Sequence, residues 1–215
     1  MNISKRIKFL ASIVNPNGTI VDVGCDHGYL GYLILKNSKN DVIFTDISNK
    51  CLEKAKNLIE KENLNSRSYF VCTNGLENIK NSVDTVVIAG MGGYEILNII
   101  KSAKIKVNKY VLQPMKNVLT LKSELIKIGY KIEFDKIIKD GKKFYEYLIV
   151  TKNEENLLSR QDYFFGKDNL MSFDNDFIEY LKFRQKQLVR NSIKEDKLEL
   201  EELELINKIL DKKEL

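Results

Sequence analysis

The chain has 215 residues, of which 43% are hydrophobic and 30% charged, with a formal net charge of +5. That length allows one main domain with a small appendage, and no apolar run approaches the roughly 18 residues of a membrane-spanning helix. Cys25, Cys51 and Cys72 are odd in number and lack disulfide or metal-ligand spacing, and His27 is the single histidine, which excludes a multi-histidine metal site and any Ser-His-Asp or Cys-His arrangement elsewhere. The expectation is a cytoplasmic protein with reduced thiols, no metal and no membrane segment, its Met1–Arg6 start leading into a helix and not a secretory signal. Charge is unevenly placed. Residues 1–151 hold 23 Lys+Arg against 15 Asp+Glu, and residues 152–215 hold 12 against 15. A basic first portion suits a polyanionic partner such as RNA, although a codon-biased Lys-, Asn- and Ile-rich composition reads the same way.

A first helix is predicted over 3–14, with Ile3, Ile7, Leu10, Ala11 and Val14 on one face, ended by Asn15-Pro16-Asn17-Gly18. The first strand, 19–23, is an apolar run with one acid, Asp22. The polar turn Gly24-Cys25-Asp26-His27-Gly28 follows, then a helix to about Lys36. A buried parallel strand ending in such a turn leaves room for a ligand, and the glycines permit close approach. Carboxylates at this turn repel phosphate. They suit a cofactor carrying positive charge and hydroxyl donors, and S-adenosylmethionine has both.

A second strand, 42–46, ends in Asp46, and Ser48 or Asn49 caps a helix with Leu52, Ala55, Leu58 and Ile59 inward. A third, 68–73, precedes Asn74-Gly75-Leu76. A fourth, 84–89, precedes Gly90-Met91-Gly92-Gly93, read as a loop, and a helix carrying Ile96, Leu97, Ile99 and Ile100. A fifth, 109–113, is stopped by Pro114, and a helix over 119–128 ends at Gly129. The runs 130–138 and 144–151 are joined too closely for a crossover helix and must pair antiparallel. Five alternating β/α units followed by an antiparallel hairpin predict an α/β fold of the Rossmann-like class I methyltransferase kind. Residues 152–173 read as a linker anchored by Tyr163, Phe164, Phe165 and Phe173. Helical patterns over 174–192 and 195–213, with complementary charge and heptad-like Leu200, Leu203, Ile206 and Leu210, predict a helical hairpin. The expected division is a cofactor-binding catalytic domain over 1–151 and a linker with a C-terminal helical hairpin over 152–215.

Ligands of open α/β sheets sit outside the carboxyl ends of the strands. That rule selects Asp22, Gly24, Cys25, Asp26, His27 and Gly28 after the first strand. After the second it selects Asp46 and Ile47, where an acid can accept ribose hydroxyls. After the third it selects Asn74, Gly75 and Leu76, where an amide and backbone groups could hold an adenine ring. After the fourth it selects Ala89, Gly90, Met91 and Gly92, a backbone that a flat substrate approaches closely. A nicotinamide dinucleotide fits less well. With Gly28 and Gly31 as the second and third glycines of Gly-x-Gly-x-x-Gly, Asp26 occupies the first position and faces the pyrophosphate.

The motifs Asp22-Val-Gly-Cys-Asp-His-Gly-Tyr-Leu30, Asn74-Gly-Leu76, Ile88-Ala-Gly-Met-Gly-Gly93, Leu112-Gln-Pro114 and Asp140-Gly-Lys142 with Phe144-Tyr-Glu146 occur in order across about residues 3–151. Together they resemble the bacterial tRNA (adenine-N1)-methyltransferases that act at adenosine 22, the TrmK family, whose C-terminal coiled-coil part the helical hairpin is similar to. The chain departs from the family in having Met115 where Asn commonly follows Leu-Gln-Pro, Lys139 where an acid often stands, and Gly28 where Ala often stands. The resemblance implies methyl transfer from S-adenosylmethionine to N1 of a tRNA adenine. It implies Asp26 as the group nearest the chemistry, with His27 orienting it or contacting the base, and Gly90, Met91, Gly92, Gln113 and Pro114 cradling the base. Lys5, Lys8, Lys116, Lys142 and Lys143 are candidate phosphate contacts. Methylation of another RNA or a small substrate, and RNA binding on a relic fold, stay open. Oligomeric state is not set by the sequence, a monomer being the default.

Overall fold

The structure, a computed structural model, describes residues 3–153, 158–191 and 196–212. Helix α1 (Lys5–Ser12) starts where the Ser4 hydroxyl accepts the Ile7 N–H. The chain then alternates β1 (Thr19–Val23), α2 (Tyr29–Asn37), β2 (Asp41–Asp46) and α3 (Asn49–Lys61), the last capped by Ser48, whose hydroxyl accepts the Cys51 N–H. After β3 (Ser68–Cys72) come β4 (Val83–Gly92), α4 (Gly93–Ser102), β5 (Val107–Lys116) and α5 (Val118–Lys127). The hairpin is β6 (Tyr130–Asp140) and β7 (Lys143–Lys152). One sheet results, in the order β3-β2-β1-β4-β5-β7-β6, parallel from β3 to β5, with β7 antiparallel to both its neighbours. This is the Rossmann-like methyltransferase sheet with its terminal antiparallel hairpin.

Strand alternation sorts the core into two layers. Ile20, Val42, Phe44, Val87 and Val111 pack under α1, α2 and α3. Val21, Val23, Val86, Ile88 and Leu112 pack under α4 and α5.

In three places the chain departs from the expected elements. Gly90-Met91-Gly92, read as a loop, continues β4, and Pro114 does not stop β5. Met91 pairs with Pro114 and Gly92 with Lys116 across two register shifts, and a proline lacking an N–H is tolerated at such irregularities. Between β3 and β4 no helix forms; the chain crosses by turns in which the Glu77 N–H donates to Asn74 O and the Ile79 N–H to Leu76 O. The expected linker contains two short helices, α6 (Arg160–Phe165) and α7 (Lys167–Ser172). The first is set by a Ser159/Asp162 capping box and by burial of Phe164 and Phe165 beside Ile137 of β6.

Helices α8 (Asn175–Asn191) and α9 (Lys197–Asp211) follow, packed through Phe177, Leu181, Leu188, Ile206 and Ile209. Met1, Asn2, linker positions 154–157 and the expected helix ends at 192, 195 and 213 lie outside the described residues. Arg184 donates twice to Glu202, both at 2.8 Å, which joins basic α8 to acidic α9. Where α6 meets the sheet, the fully buried Lys122 ammonium lies 2.5 Å from both Asp135 and Glu146 and donates to Tyr163 O at 3.2 Å.

Candidate functional site

The turn after β1 is fixed by backbone bonds to the end of β2. The Gly24 and Cys25 N–H groups donate to Thr45 O at 2.8 and 3.0 Å, and the Gly28 N–H to Cys25 O at 2.8 Å. Asp46 completes the junction: its Oδ2 accepts the Asp26 N–H at 3.1 Å and its Oδ1 the Ser48 N–H at 2.9 Å. Gly24 has φ +69°, a left-handed backbone that favours glycine, and a Cβ there would displace the flexible end of Met91, whose Cε would lie 2.4 Å away.

Two adjoining cavities, about 460 and 770 Å³, open at these strand ends and share Val23, Gly24, Ala89 and Gly90. The first also takes in Asp22, Cys25, Asp26 and His27 from the β1 turn. The second takes in Asp46 and Ile47 after β2, Asn74 and Gly75 after β3, and Met91 of β4. Most of the residues singled out in the sequence therefore converge on one divided cleft.

Five of them do not line it. Gly28 (φ +72°) lets α2 approach α3, since a Cβ there would lie 2.7 Å from that of Ala55. Leu76 is core under α4. Gly92 sits at the end of β4 against Lys116. Gln113 and Pro114 are buried inside β5. In their place the first cavity gains Ile3, Ser4, Arg6 and Ile7 from around α1, and the second gains Glu95 and Asn98 from α4. Nothing in the local pattern marks them; α1's polar face looks like an ordinary solvated one.

Asp22 is 4% exposed, and burial pushes its pKa up to about 7; the Gly31 N–H, donating at 3.2 Å, opposes the rise and the charge of Asp46 adds to it. Burial, then Asp22 and Asp46, push the Cys25 thiol up, which removes it as a nucleophile. At the cleft mouth Asp26 is exposed and in left-handed backbone (φ +47°). Its Oδ2 lies 2.7 Å from His27 Nδ1, and the His27 ring stacks on Tyr29 with centroids 5.6 Å apart. The arrangement suits an adenosine with a charged tail. A carboxylate at the end of β2 can accept a ribose diol, exposed Ile47 beside Asn74 and Gly75 offers a place for a flat ring, and bare backbone at Gly24 and Gly90 admits the rest.

A methyltransferase domain family matches residues 3–148. The tRNA (adenine(22)-N(1))-methyltransferase of Bacillus subtilis is 32% identical over 162 residues, spanning 73% of this chain and 68% of that one. The chain belongs to this methyltransferase family. Among solved structures of similar fold, M. capricolum TrmK in complex with S-adenosyl-homocysteine has a TM-score of 0.80 at 27% identity, covering 97% of this chain and 96% of that one. A Streptococcus pneumoniae protein in complex with S-adenosyl-L-methionine has a TM-score of 0.86 at 26% identity, covering 97% and 100%. Among the described residues of this TrmK-family chain, no cluster of three or more His, Cys, Asp or Glu is arranged to hold a metal ion, and no helix is long and apolar enough to cross a membrane.

Proposed function

We propose that this chain methylates N1 of adenosine 22 in tRNA, using S-adenosylmethionine bound in the divided cleft. The observation that carries this is the convergence of Asp46, Asn74, Gly24 and Gly90 on one cleft whose mouth holds the Asp26–His27 pair. When bound, the cofactor supplies a methyl group on a sulfonium. Neutral adenine N1 offers an in-plane lone pair, so no proton is removed before attack and the chemistry calls for no metal. The task left to the protein is alignment, exclusion of water and stabilisation of the cation that develops on the base. Asp46, Ile47 and Asn74 hold the nucleoside portion. Asp26, fixed by His27, faces the base and its growing charge. Because N1 lies on the pairing edge, the adenosine must leave its stack to reach this point.

Beyond the cleft, a groove of about 410 Å³ brings Lys139 and Lys142 of the β6–β7 hairpin beside Lys182 and Lys186 of α8, around Phe144 and half-exposed Phe183. Lysines with an aromatic face suit phosphates and an unstacked base. Helix α1 connects groove and cleft: the Lys5 ammonium lies 3.0 Å from Asp176 at the start of α8, and the Arg6 N–H donates to Asp140 at 2.9 Å. The same reading takes residues 1–151 as the catalytic domain, residues 152–215 as an arm for the RNA, and the enzyme as a cytoplasmic monomer.

The test is methyl incorporation from labelled cofactor into a tRNA transcript with adenosine at position 22, against the same transcript with guanosine there. Incorporation only into the first is expected, and equal incorporation into both overturns the assignment. Asp26→Asn is expected to cut the rate about 10²–10³-fold with S-adenosylhomocysteine affinity unchanged; an unchanged rate removes Asp26 from the chemistry.

A further inference from the structure

We propose that Arg6 is the oxyanion-binding group of the cleft and that Gln113 is its positioning residue, an assignment that rests on the methyltransferase reading above. Arg6 lines the cavity that also holds Asp22, Asp26 and His27, and among the described residues lining that cavity it is the one arginine or lysine. Its Nη1 donates to Gln113 Oε1 at 2.8 Å. Gln113 is fully buried, and its Nε2 donates to Pro114 O at 2.9 Å, so its amide is locked with the oxygen toward Arg6. The backbone of Arg6 is held as firmly. Its N–H donates to Asp140 Oδ2 at 2.9 Å, its carbonyl accepts the Tyr147 hydroxyl at 3.3 Å, and its guanidinium lies 5.5 Å from the Tyr145 ring centroid. A Cβ placed on Gly90 would be 3.5 Å from Nη1, so the guanidinium reaches the tip of β4.

Among the described residues no carboxylate forms an ion pair with this guanidinium, although five acids, Asp22, Asp26, Asp46, Glu77 and Glu95, line the divided cleft. A cation oriented by a neutral amide and an aromatic face keeps its full charge and its remaining N–H donors. In a cleft lined by acids, that is the one place where an oxyanion is welcome. Two oxyanions reach it under the proposed function: the carboxylate of the cofactor's methionine portion, and a phosphate flanking the target adenosine. Both suit the guanidinium fork.

The test uses the full chain with Arg6→Ala, Arg6→Lys and Gln113→Leu. Calorimetry with S-adenosylhomocysteine and with 5′-methylthioadenosine, which lacks the amino-acid portion, is run beside steady-state KM and kcat for tRNA. If the anion is the carboxylate, Arg6→Ala weakens S-adenosylhomocysteine about tenfold or more and leaves methylthioadenosine unchanged. If it is the phosphate, both ligands keep their affinity and KM for tRNA rises about tenfold at constant kcat. In either case Gln113→Leu weakens the same step, and the double variant is no worse than Arg6→Ala. Should Arg6→Ala not fold, Arg6→Lys keeps the charge, loses the planar fork and is read in the same way. Arg6 variants within twofold of wild type in all of these measurements, or a Gln113→Leu defect in a different step from that of Arg6→Ala, overturn the proposal. The two nucleoside ligands are read without any RNA, so a failure here is distinguishable from a failure of the tRNA assignment.

Discussion

The cleft and the C-terminal arm treat charge in opposite ways. In the arm and where it meets the sheet, charges meet opposite charges: Lys122 with Asp135 and Glu146, Arg184 with Glu202, Arg160 with Glu201, Lys136 with Asp174. In the cleft, three charged groups meet neutral ones, Arg6 an amide oxygen, Asp22 the Gly31 N–H and Asp46 the N–H groups of Asp26 and Ser48, while Asp26 at the mouth is paired with His27. Opposite-charge pairing fixes one element on another and leaves little field outside. Neutral hydrogen bonding fixes a charged group in space while its charge stays available to a ligand. The difference separates residues that assemble the molecule from residues that act.

The Lys122 cluster gives the largest effect. Burial works against its ammonium, but Asp135 and Glu146 beside it hold its pKa above the usual lysine range. Burial in turn raises Asp135, with Lys122 opposing the rise. Lys122→Ala leaves buried Asp135 and half-buried Glu146 without their cation and is expected to cost about 3–5 kcal/mol in urea unfolding. The affinity of the remaining folded protein for S-adenosylhomocysteine is expected to stay at the wild-type value. Replacing Lys122, Asp135 and Glu146 together by apolar residues of similar volume is expected to recover most of that loss. A Lys122→Ala protein of full stability but impaired ligand binding breaks the distinction between the two regions.

Asp22 gives an effect of opposite sign. Its folded-state pKa, about 7, is above the usual 3.8, so the native state holds this proton to higher pH than the unfolded chain does. The stability it contributes is complete below about pH 4 and is lost as pH rises through about 7, at about 1.4 kcal/mol per pH unit between those limits. Asp22→Asn stays neutral and keeps an oxygen for the Gly31 N–H. Relative to wild type, its unfolding free energy is therefore expected to rise between pH 4.5 and pH 7.5. A wild-type-to-variant difference that is the same at both pH values rules out this account of Asp22.

Local pattern was enough for the elements whose determinants are local. The apolar run at 19–23 with its glycine turn is β1 to the residue, and Ser48 caps α3 through the expected hydroxyl bond. What it could not supply depends on partners far along the chain. Strand β4 runs on through Gly92 because Pro114 and Lys116 lie opposite it, and α6 and α7 are six-residue helices held by contacts with β6. Gln113 reads as a base-contacting residue from its motif, yet the fold buries it and leaves Arg6, more than a hundred residues earlier, at the surface it would have occupied. Gly28 is held at φ +72° where α3 brings Ala55 within 2.7 Å of the place a Cβ would take, a contact no local pattern shows.

The smallest effect per residue belongs to the groove on α8, where the two regions meet. Lys182 and Lys186 are exposed, and neither forms an ion pair among the described residues. On the logic of the cleft they are charges left available, although they belong to the arm. Exposed lysines contribute mainly by releasing counterions from phosphate, so each should be worth well under the roughly tenfold expected of Arg6. Lys182→Glu with Lys186→Glu is expected to raise KM for tRNA several-fold, leave kcat and S-adenosylhomocysteine affinity unchanged, and flatten the dependence of log KM on log salt by about 0.7–0.9 for each phosphate no longer neutralised. Reversing an exposed charge on a helix already packed through Phe177, Leu181 and Leu188 should leave the fold intact, so a shift in salt slope isolates RNA binding from structure. If KM and slope both stay at wild type, α8 serves only to carry α9. The boundary between assembling and acting charges would then fall at the hairpin turn, not within the arm.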